Sequence, residues 1–460
     1  MAKVNHAGVA FLCLCILIGL PVTSHSYDPG DASPLAFPGA QGHGKYSQGG
    51  RYGRILYVDN LEDRGSGSLR ACVEDTGPRN CVFRVSGVIR LASSLMIGNE
   101  NGMLSVLGQT APGSGITLTI ETPNSAKLHT PFIVKKTTDV IVRHIRSRPR
   151  LPNTVKNIDA FTIEDSERVY VDHVSGSWAT DENVNTHANS TNVTIAYSIF
   201  GEGQNKHSKC ALLGSDPDTP QNITFWKNAC ISNRDRNPDD NHHGGSCIDI
   251  VNNLFYNARS EWSEVFSQYP GGTPISIVGN YFKGGPSTNE RSYAINWNKT
   301  HSVANPKIYA DGNEVWAPGE KQVILVAPDA GTVLVDKPPC PLSVERIVTA
   351  EAAYDDIRLT AGAFPRDDVD GRLIAEVGEI GRKGKGRMVK EPGLLPAMSG
   401  GTPYADIDGD GMADAVEADI GATVGQADAW EGSDENGQTN FDRFMDWLAQ
   451  QRLTGSAYPN

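Results

Sequence analysis

Short apolar runs recur through the middle of the 460-residue chain and constrain its fold more than any other feature. The runs begin at Leu104, Val140, Val169, Val193, Ile223, Ile248, Ile275 and Ile308. Successive starts lie roughly 24 to 36 residues apart, a spacing typical of one coil in a repeat solenoid. Apolar residues alternate within each run, so every second side chain would face a common interior. The pattern predicts an all-β fold, a right-handed parallel β-helix.

Asparagine recurs at the sixth position of the later runs, which indicates a repeated bend. The residues are Asn228, Asn253, Asn280 and Asn313, with Ser198 at the equivalent place in an earlier run. Asparagine tolerates left-handed backbone conformations and bonds to its own turn. Four asparagines at the same position of successive runs are more than the general frequency of asparagine in loops explains. We therefore expect a column of amide side chains stacked from coil to coil.

The first 26 residues have the composition of a secretory signal peptide. Lys3 precedes an apolar run over residues 8–20, and small residues follow it. That run is too short to anchor the chain, because a membrane span needs about 20 apolar residues. No later segment is long and apolar enough either. We expect a secreted, extracellular protein without a membrane-spanning segment, and we expect it to be a monomer.

Six cysteines remain after the predicted signal peptide, an even number that permits three disulfides in an exported chain. Cys72 and Cys81 flank a short polar loop, so they are the favoured pair. The pairing of the other four cysteines stays open at this point.

The charge balance of the chain argues against nucleic acid as a partner. The net charge is −13, and no extended basic patch suggests nucleic acid. This acidity does not exclude a polyanionic ligand, because a bound divalent cation can invert the local charge.

Changes of pattern divide the chain into four parts. The signal peptide covers residues 1–26, and the β-helix covers 27–340. Residues 341–402 form an extension and linker with an amphipathic helix around Ser343 to Ala353, and residues 403–460 form a C-terminal module. A terminal amphipathic helix is predicted over residues 439–453. A short helix over residues 67–75 is expected to cap the N-terminal end of the solenoid, where strand edges would otherwise be exposed.

The sequence DIDGDGMADAVE at residues 406–417 matches the calcium-loop pattern in full. The proposed ligands are Asp406, Asp408, Asp410, the backbone carbonyl of Met412, Asp414 (directly or through water) and Glu417. Calcium takes six to eight oxygen ligands, and Gly411 permits the sharp turn that this wrapping needs. A solvated acidic turn is the alternative, but repulsion between so many carboxylates disfavours it. No preceding helix is evident, so a stabilising role is favoured over a sensing one.

A second polar constellation lies between residues 159 and 238. Asp159 and Asp181 come first, Lys209 follows, and Arg236 closes the run. Each lies beside one of the recurring apolar runs, so stacked coils would bring them to one face. Taken singly, each has an ordinary explanation, such as a solvated turn at Asp181 and Glu182.

Four motifs, AFPGAQGHG, LGQTAPGSGITL, DHVSGSWATDEN and RNP, occur in this order. Together they resemble the pectate lyases of polysaccharide lyase family 1, most closely the secreted fungal and bacterial branch with a C-terminal calcium loop. The resemblance covers about Leu35 to Ile420. It implies a β-helix enzyme that cleaves polygalacturonate by calcium-dependent elimination and leaves 4,5-unsaturated oligogalacturonides.

The resemblance also implies roles for individual residues. Asp159 and Asp181 would bind Ca2+ together with the substrate uronate, and Asn185 stands where a third oxygen ligand would fall. Lys209 would contact the substrate carboxylate, and Arg236 would take the proton from C5. The ordinary pKa of arginine is so high that its side chain is protonated at neutral pH. Nearby cations are therefore expected to lower the pKa of Arg236, which predicts an alkaline activity optimum.

The sequence departs from the family pattern just after RNP. A second basic residue that grips the polymer is replaced by Asp239 and Asp240, which leaves Arg234, His242 and His243 as candidates for substrate binding.

Two other functions stay open. One is a β-helix glycoside hydrolase of the polygalacturonase type that uses Asp239 and Asp240. Adjacent residues of a strand point to opposite faces, which disfavours this pair. The other is a non-catalytic polysaccharide-binding solenoid. Four sequons are candidates for glycosylation in a eukaryotic secretory pathway, at Asn189, Asn192, Asn222 and Asn298.

Overall fold

Three parallel β-sheets run side by side through the computed structural model of the protein. It describes residues 33–123, 128–204, 207–260, 262–456 and 458–459. The predicted signal peptide therefore lies outside the described residues.

Within this part of the chain the sheets contain ten, nine and nine strands. Sheet A consists of β1 (Arg54–Val58), β2 (Arg79–Phe83), β5 (Leu104–Leu107), β8 (Thr138–Arg143), β11 (Glu167–Asp172), β14 (Thr191–Ala196), β17 (Asn222–Trp226), β20 (Cys247–Val251), β23 (Pro274–Val278) and β26 (Lys307–Asp311). Sheet B consists of β3 (Gly87–Arg90), β6 (Ile116–Thr119), β9 (Ile145–Ser147), β12 (Ser175–Ser177), β15 (Ile199–Gly201), β18 (Ala229–Ile231), β21 (Leu254–Tyr256), β24 (Tyr281–Lys283) and β27 (Glu314–Trp316). Sheet C consists of β4 (Leu95–Ile97), β7 (Phe132–Lys135), β10 (Phe161–Glu164), β13 (Glu182–His187), β16 (Lys209–Leu213), β19 (Asp239–Asn241), β22 (Ser263–Phe266), β25 (Arg291–Trp297) and β28 (Gln322–Val326).

The helices are α1 (Leu69–Glu74), α2 (Pro328–Gly331), α3 (Ala350–Thr360), α4 (Asp368–Val377), α5 (Asp414–Ile420) and α6 (Asn440–Thr454).

Each coil supplies one strand to sheets A, B and C in turn, which makes the fold a right-handed parallel β-helix. The described residues form nine such coils, from β2–β4 to β26–β28. All eight apolar runs found in the sequence lie in sheet A. Val140, Val169 and Val193 pair with one another in register on successive strands. The fold predicted from the repeat is confirmed.

The asparagine column is present where sheet A bends toward sheet B. Asn253 Nδ2 donates to Asn280 Oδ1 at 3.0 Å, and Asn280 Nδ2 donates to Asn313 Oδ1 at 2.9 Å. The left-handed residue of each bend, however, is the one before the asparagine, such as Lys227 (φ 55°) and Asn252 (φ 52°). The ladder asparagines themselves do not have a positive φ. Their role is to bond the neighbouring coils.

Disulfides fasten the chain at three places among the described residues. Cys72–Cys81 forms as predicted, and it is joined by Cys210–Cys230 and Cys247–Cys340. Cys72, Cys81, Cys210 and Cys230 belong to the apolar interior of the solenoid.

The predicted helices are present with one error of position. Helix α1 buries Leu69 and Val73 in the core beside the first coils, which fits the predicted cap. Helix α6 begins after Thr439, whose side chain and that of Asp442 form a reciprocal capping box. The helix expected around Ser343 to Ala353 begins only at Ala350, because Thr349 caps it. Ser343 lies outside the helix and donates from its backbone nitrogen and its hydroxyl to Asp249.

The C-terminal segments cover two of the three sheets. Helices α3 and α4 pack apolar side chains on sheet B, as with Tyr354 and Leu373 against Tyr256 and Ile231. Helix α6 packs on the first strands of sheet A. Along the described residues, no helix is both long and apolar enough to cross a membrane. Sheet C carries the residues of the candidate site.

Candidate active site on sheet C

Four consecutive coils bring the predicted site residues to the outer wall of sheet C. Asp159 precedes β10, Asp181 precedes β13, Lys209 begins β16, and Arg236 precedes β19. The register aligns Glu182 with Lys209 and Thr162 with Asn185. Sequence-distant residues are thus neighbours, as the repeat predicted.

Three carboxylates form the acidic part of the site. Asp159, Asp181 and Glu182 each place an oxygen within 4.8 Å of the others. Thr162 Oγ1 donates to Asp159 Oδ2 at 2.7 Å, and the backbone nitrogen of Glu182 donates to Asp159 Oδ1 at 3.2 Å. Burial, reinforced by the charge of Glu182, raises the pKa of Asp159 to about 8. Such a cluster favours a bound cation, because a cation relieves the repulsion between the carboxylates.

Two basic side chains meet at Glu182. Lys209 Nζ lies 3.1 Å from Glu182 Oε1 and also contacts Asp181. Arg236 Nη1 donates to the same Glu182 oxygen, and Arg236 Nε lies 3.1 Å from Asp239 Oδ2. Glu182 is buried, and the Arg236 side chain stays 30% exposed, directed outward. The lysine and the arginine are therefore held by one carboxylate at the surface of the site.

The electrostatic surroundings of Arg236 differ from the expectation. Burial lowers the pKa of Arg236, but the carboxylates of Glu182 and Asp239 outweigh burial and hold that pKa above its ordinary value. The charged groups of the protein nearest to Arg236 are acidic. The prediction that neighbouring cations lower the pKa of Arg236 is therefore wrong as far as the charges of the protein itself are concerned.

Asn185 supplies an oxygen suited to a metal. Its Nδ2 lies 3.4 Å from Asp159 Oδ2, and its Oδ1 is buried without a hydrogen-bond donor. Buried polar atoms without partners are uncommon in folded proteins. An amide oxygen beside three carboxylates forms the all-oxygen set that calcium prefers, so these residues fit a calcium ion.

Glu182 is the site residue that sequence reasoning missed. The sequence indicates only a solvated turn at Asp181 and Glu182, yet the Glu182 side chain is 3% exposed and binds both basic residues. The available signal was its position directly after Asp181, at the start of a strand that pairs with the strand of Lys209.

The two histidines considered for substrate binding differ in exposure. His242 is fully buried, and its Nδ1 lies 2.7 Å from Gln221 Oε1, so the suggestion that it replaces the missing basic residue is wrong. His243 is partly exposed, with Nε2 3.0 Å from the carbonyl of Pro217, and its role in substrate binding stays a prediction. The side chain of Arg234 is 40% exposed, with Nε 4.0 Å from Asp235 Oδ2.

Asp239 and Asp240 do not form a catalytic pair of carboxylates. Asp239 binds Arg236, whereas Asp240 is fully buried beside His242, with 3.7 Å between Oδ1 and Nε2. This arrangement removes the residues on which a glycoside hydrolase mechanism would rest.

The C-terminal loop gathers carboxylates in a second place. Asp406, Asp408 and Asp410 have oxygens within 4.8 Å of one another. Glu417 is fully buried on α5, and neither of its carboxylate oxygens has a hydrogen-bond partner. Burial raises the pKa of Asp410 to about 7, and it also raises the pKa of Glu417. Unpartnered buried carboxylates fit a calcium ion and do not fit a solvated turn.

Other parts of the loop are tied to the protein. Asp414 Oδ1 accepts a hydrogen bond from the backbone of Ile407, and Met412 is buried. Asp406 Oδ2 accepts from the hydroxyl of Tyr57 and lies 3.5 Å from Arg84. The loop is therefore fastened to the first coils of the solenoid.

The sequon asparagines are partly exposed and already hold hydrogen bonds. Asn189 Oδ1 accepts from the backbone of Asp218, and Asn222 Nδ2 donates to Asn192 Oδ1 at 3.1 Å. Asn298 Oδ1 accepts from the backbone of His301. Glycosylation at these positions stays a prediction.

Comparisons with known proteins agree on one family. No family model matches the chain. A probable pectate lyase C of Aspergillus terreus is 32% identical over 402 residues, which span 86% of this chain and 90% of the relative. A probable pectate lyase C of Neosartorya fischeri is 31% identical over 391 residues, spanning 84% and 87%.

A comparison of structures supports the fold. The crystal structure of the major allergen from cedar pollen aligns with a TM-score of 0.52 and 16% identity, covering 70% of this chain and 92% of the allergen.

Proposed function

This chain belongs to the pectate lyase family, and from that premise we propose that it cleaves (1,4)-α-D-galacturonan by calcium-dependent β-elimination. The site on sheet C is the proposed catalytic centre. Its substrate would be the de-esterified polymer, polygalacturonate, in plant cell-wall pectin.

The proposed calcium ligands are Asp159, Asp181, Glu182 and the amide oxygen of Asn185. The first three have oxygens within 4.8 Å of one another. A bound ion would supply positive charge at the substrate carboxylate, which makes the neighbouring C5 proton more acidic.

Lys209 and Arg236 carry the remaining roles. Lys209 binds the substrate carboxylate and stabilises the negative charge that develops there. Arg236, in its neutral form, takes the proton from C5. The electron pair of the C5–H bond becomes the C4–C5 double bond, and the glycosidic oxygen leaves C4 and takes up a proton from solvent. No water is consumed, and one product carries a 4,5-unsaturated end.

One observation carries this proposal: Lys209 and Arg236 converge on Glu182, beside the carboxylates of Asp159 and Asp181. A polysaccharide-binding protein needs cations along a groove, but it does not need an arginine and a lysine beside three clustered carboxylates.

The test compares Arg236→Ala with Lys135→Ala, a matched control on the same sheet whose lysine pairs with Glu164 at 2.9 Å. We expect Arg236→Ala to lower kcat on polygalacturonate by about 10²- to 10⁴-fold, the usual contribution of a general base. The control should stay within about twofold. Product formation is followed by the ultraviolet absorbance of unsaturated ends, with calcium and with a chelator.

Two results would contradict the mechanism. One is cleavage by Arg236→Ala at the original rate. The other is the appearance of new reducing ends without ultraviolet absorbance, which would mean hydrolysis.

We also propose a second, stabilising calcium ion in the loop of residues 406–417. The unpartnered oxygens of Asp408, Asp410 and Glu417 support it. Because this loop contacts Tyr57 and Arg84 of the first coils, the ion would hold the C-terminal module on the solenoid.

The protein is proposed to act outside the cell. Three disulfides join six cysteines, and such bonds persist in oxidising compartments. An extracellular location also gives the enzyme access to its polymer. Detection of the protein in culture medium, with an N-terminus near residue 27, would test this proposal.

A further inference from the structure

A short basic segment with a period of two lies between α4 and the C-terminal loop. Residues 382–390 read RKGKGRMVK, and we call them the basic strap. Lys383, Lys385 and Arg387 are exposed, whereas Gly384 is buried and Gly386 is partly buried between them. Alternation of this kind is that of an extended segment with one face on the protein and one face in solvent.

The two glycines allow the strap to lie flat on the coils. A Cβ atom at Gly384 would come within 2.2 Å of Tyr256 Oη and 2.4 Å of the carbonyl of Glu376. At Gly386, where φ is +96°, a Cβ atom would come within 2.6 Å of a Glu376 oxygen. Only glycine fits such close approaches. Close packing therefore fixes the position of the strap on the coils, and its basic side chains face solvent.

Backbone contacts fix the course of the strap across several coils. Tyr256 Oη donates to the carbonyl of Lys385 at 2.6 Å, and Gln204 pairs with Val389. Asn153 Nδ2 donates to the carbonyl of Lys390 at 2.8 Å. Tyr256, Gln204 and Asn153 belong to three different coils, so the strap runs along the solenoid axis beside the connections from sheet B to sheet C.

The same connections lead into the proposed catalytic centre. Gln204 lies five residues before Lys209, and Arg234 lies two residues before Arg236. Arg259, which is exposed, follows on the next coil, where its backbone nitrogen donates to the carbonyl of Arg234 at 3.0 Å. The exposed cations of these connections and of the strap thus follow one side of the candidate site.

The charges of the strap are largely uncompensated. Arg382 pairs with Glu379, but within the described part of the chain Lys383, Lys385, Arg387 and Lys390 have no carboxylate within ion-pair distance. The chain as a whole carries −13, which repels a polyanion. A local row of cations offsets that repulsion where a polyanion must lie.

A groove accompanies the strap. It has a volume of about 810 Å³ and lies between α4 and the strap, with Arg387 and Lys390 on its wall. The acidic residues Glu202, Glu376 and Glu391 also line it, and Arg372 binds the first two, with Nη2 2.8 Å from Glu202 and Nη1 3.0 Å from Glu376. Three basic and three acidic side chains thus line the groove, so the positive charge available to a polyanion lies on the exposed row of Lys383, Lys385 and Arg387.

We propose that the basic strap is an accessory binding surface for an acidic polysaccharide, namely the part of a galacturonate polymer that extends beyond the catalytic centre. This inference rests on the proposed function for the identity of the polymer. The strap holds carboxylates of remote sugar units, so it strengthens binding of long chains and leaves the chemical step unchanged.

The test neutralises the three alternating cations in Lys383→Gln/Lys385→Gln/Arg387→Gln. All three side chains are exposed, so folding should be preserved. The matched control is Lys299→Gln/Lys307→Gln/Lys337→Gln, which removes the same charge from exposed positions near the last coil. Kinetics are measured on polygalacturonate and on tetragalacturonate. Binding to immobilised polygalacturonate is measured separately in the Arg236→Ala background, where cleavage does not interfere.

We expect the strap variant to raise KM for the polymer and to weaken polymer binding by about 3- to 150-fold, the range for three exposed ion pairs. kcat and all constants for tetragalacturonate should match those of the parent. The difference in polymer KM and polymer binding between the strap variant and the parent should disappear at about 0.5 M salt, because screening removes interactions between exposed charges.

Two outcomes would overturn the proposal: a strap variant that behaves like the control, or one that loses activity equally on polymer and tetramer. If the parent protein forms no unsaturated product, the proposed function fails, and the binding measurement alone then decides for or against the strap.

Discussion

Glu182 joins both halves of the candidate site at the level of single residues. Its buried carboxylate contacts Lys209 and Arg236 and lies within the acidic cluster. Its negative charge also raises the pKa of Arg236. A residue that restrains the proposed base and shifts its proton equilibrium should influence the pH dependence of the reaction.

Glu182→Gln tests this influence when it is assayed at saturating calcium, because Glu182 is also a proposed calcium ligand. Removal of the charge lowers the pKa of Arg236, so the neutral guanidine becomes available at lower pH. We expect the rising limb of the pH profile of kcat/KM to move to lower pH, and the free energy of unfolding to fall by about 1–3 kcal/mol. Glu164→Gln, on the same sheet, should leave the pH profile in place. A profile of Glu182→Gln that coincides with the parent would show that the carboxylate does not act on Arg236.

Asp159 should make calcium binding release protons. Its pKa is raised to about 8 by burial and by Glu182, so the side chain is mostly protonated at pH 6.5. Calcium needs the carboxylate form, so a proton must leave on binding. We expect calcium affinity to rise with pH up to about 8 and to level off above it.

Calorimetry in two buffers with different ionisation enthalpies measures these protons. The Glu417→Gln background removes the contribution of the C-terminal loop. Close to one proton per ion at pH 6.5 is expected, and Asp159→Asn should release fewer. Release of no proton by the parent site would contradict the assignment of Asp159.

The site residues found from sequence were those with a strong pattern around them. Asp181 and Arg236 follow recognisable motifs, and the repeat placed them on one wall. Glu182 was missed because its neighbours in sequence suggest solvent, and only the pairing of β13 with β16 brings it to Lys209. The raised pKa of Arg236 depends on Glu182 and Asp239, and no periodicity indicates how these two side chains are oriented.

The asparagine ladder is an element in which one side chain serves two coils. Asn253 Oδ1 accepts from the backbone nitrogen of Asn228 at 2.9 Å, and Asn253 Nδ2 donates to the carbonyl of Phe225 at 2.8 Å. The backbone groups of Asn228 and Phe225 are buried, so loss of the Asn253 side chain leaves them without a hydrogen-bond partner from water or protein.

We expect Asn253→Ala to lower the free energy of unfolding by about 2–6 kcal/mol, because two buried groups lose their partners and each costs about 1–3 kcal/mol. Urea unfolding monitored by tryptophan fluorescence measures it. Asn289→Ala, at an exposed position, should stay within about 0.5 kcal/mol of the parent. Equal changes in the free energy of unfolding for the two substitutions would show that the asparagine ladder does not stabilise the fold.

The calcium loop is a second element whose contribution can be separated. In Glu417→Gln the side chain keeps its size but loses the charge that calcium requires. With saturating calcium, about 100 times the Kd, the parent gains about 2.7 kcal/mol from an occupied site, and the variant should lack that gain. In chelator the variant should be as stable as the parent or more so, because one of several repelling carboxylates is gone.

Thermal melts with calcium and with chelator, for the parent, Glu417→Gln and the exposed control Asp419→Asn, give this comparison. Loss of calcium stabilisation in both variants, or in neither, would contradict the ligand role of Glu417.

Strands and helices are predictable where apolar residues recur with a regular period. They are less predictable where their bounds depend on packing against the solenoid. The strands of sheet A follow from alternation alone, and α6 follows from its apolar face. The start of α3 was placed too early because residues 343–349 have helix-compatible composition. Their backbone is instead drawn onto the solenoid by Asp249 and by Asn252, whose Oδ1 accepts from Val348. No sequence pattern indicates the strap, because its glycines are required only by their close approach to Tyr256 and Glu376.

The whole molecule is a solenoid whose C-terminal part folds back along its length. After the last coil, Cys340 joins Cys247 at the start of β20, and the chain then covers sheet B and the first coils of sheet A. In a solenoid each coil contacts mainly its neighbours. The returning segment therefore links coils that would otherwise unfold separately, and the Cys247–Cys340 bond fixes where that return begins.

The disulfides should for this reason differ in their effect. Cys247–Cys340 spans 93 residues and Cys72–Cys81 spans 9. Loop-closure entropy predicts about 5 kcal/mol of stabilisation for the longer span and about 3 kcal/mol or less for the shorter one. We expect Cys247→Ala/Cys340→Ala to lower Tm more than Cys72→Ala/Cys81→Ala, and to speed proteolysis after residue 340. Activity at 25 °C should persist, because the returning segment covers sheets A and B and the site lies on sheet C. A larger loss of Tm in the Cys72→Ala/Cys81→Ala variant, with residues beyond 340 equally protected in both, would instead mean that packing against sheets A and B holds the returning segment without the bond.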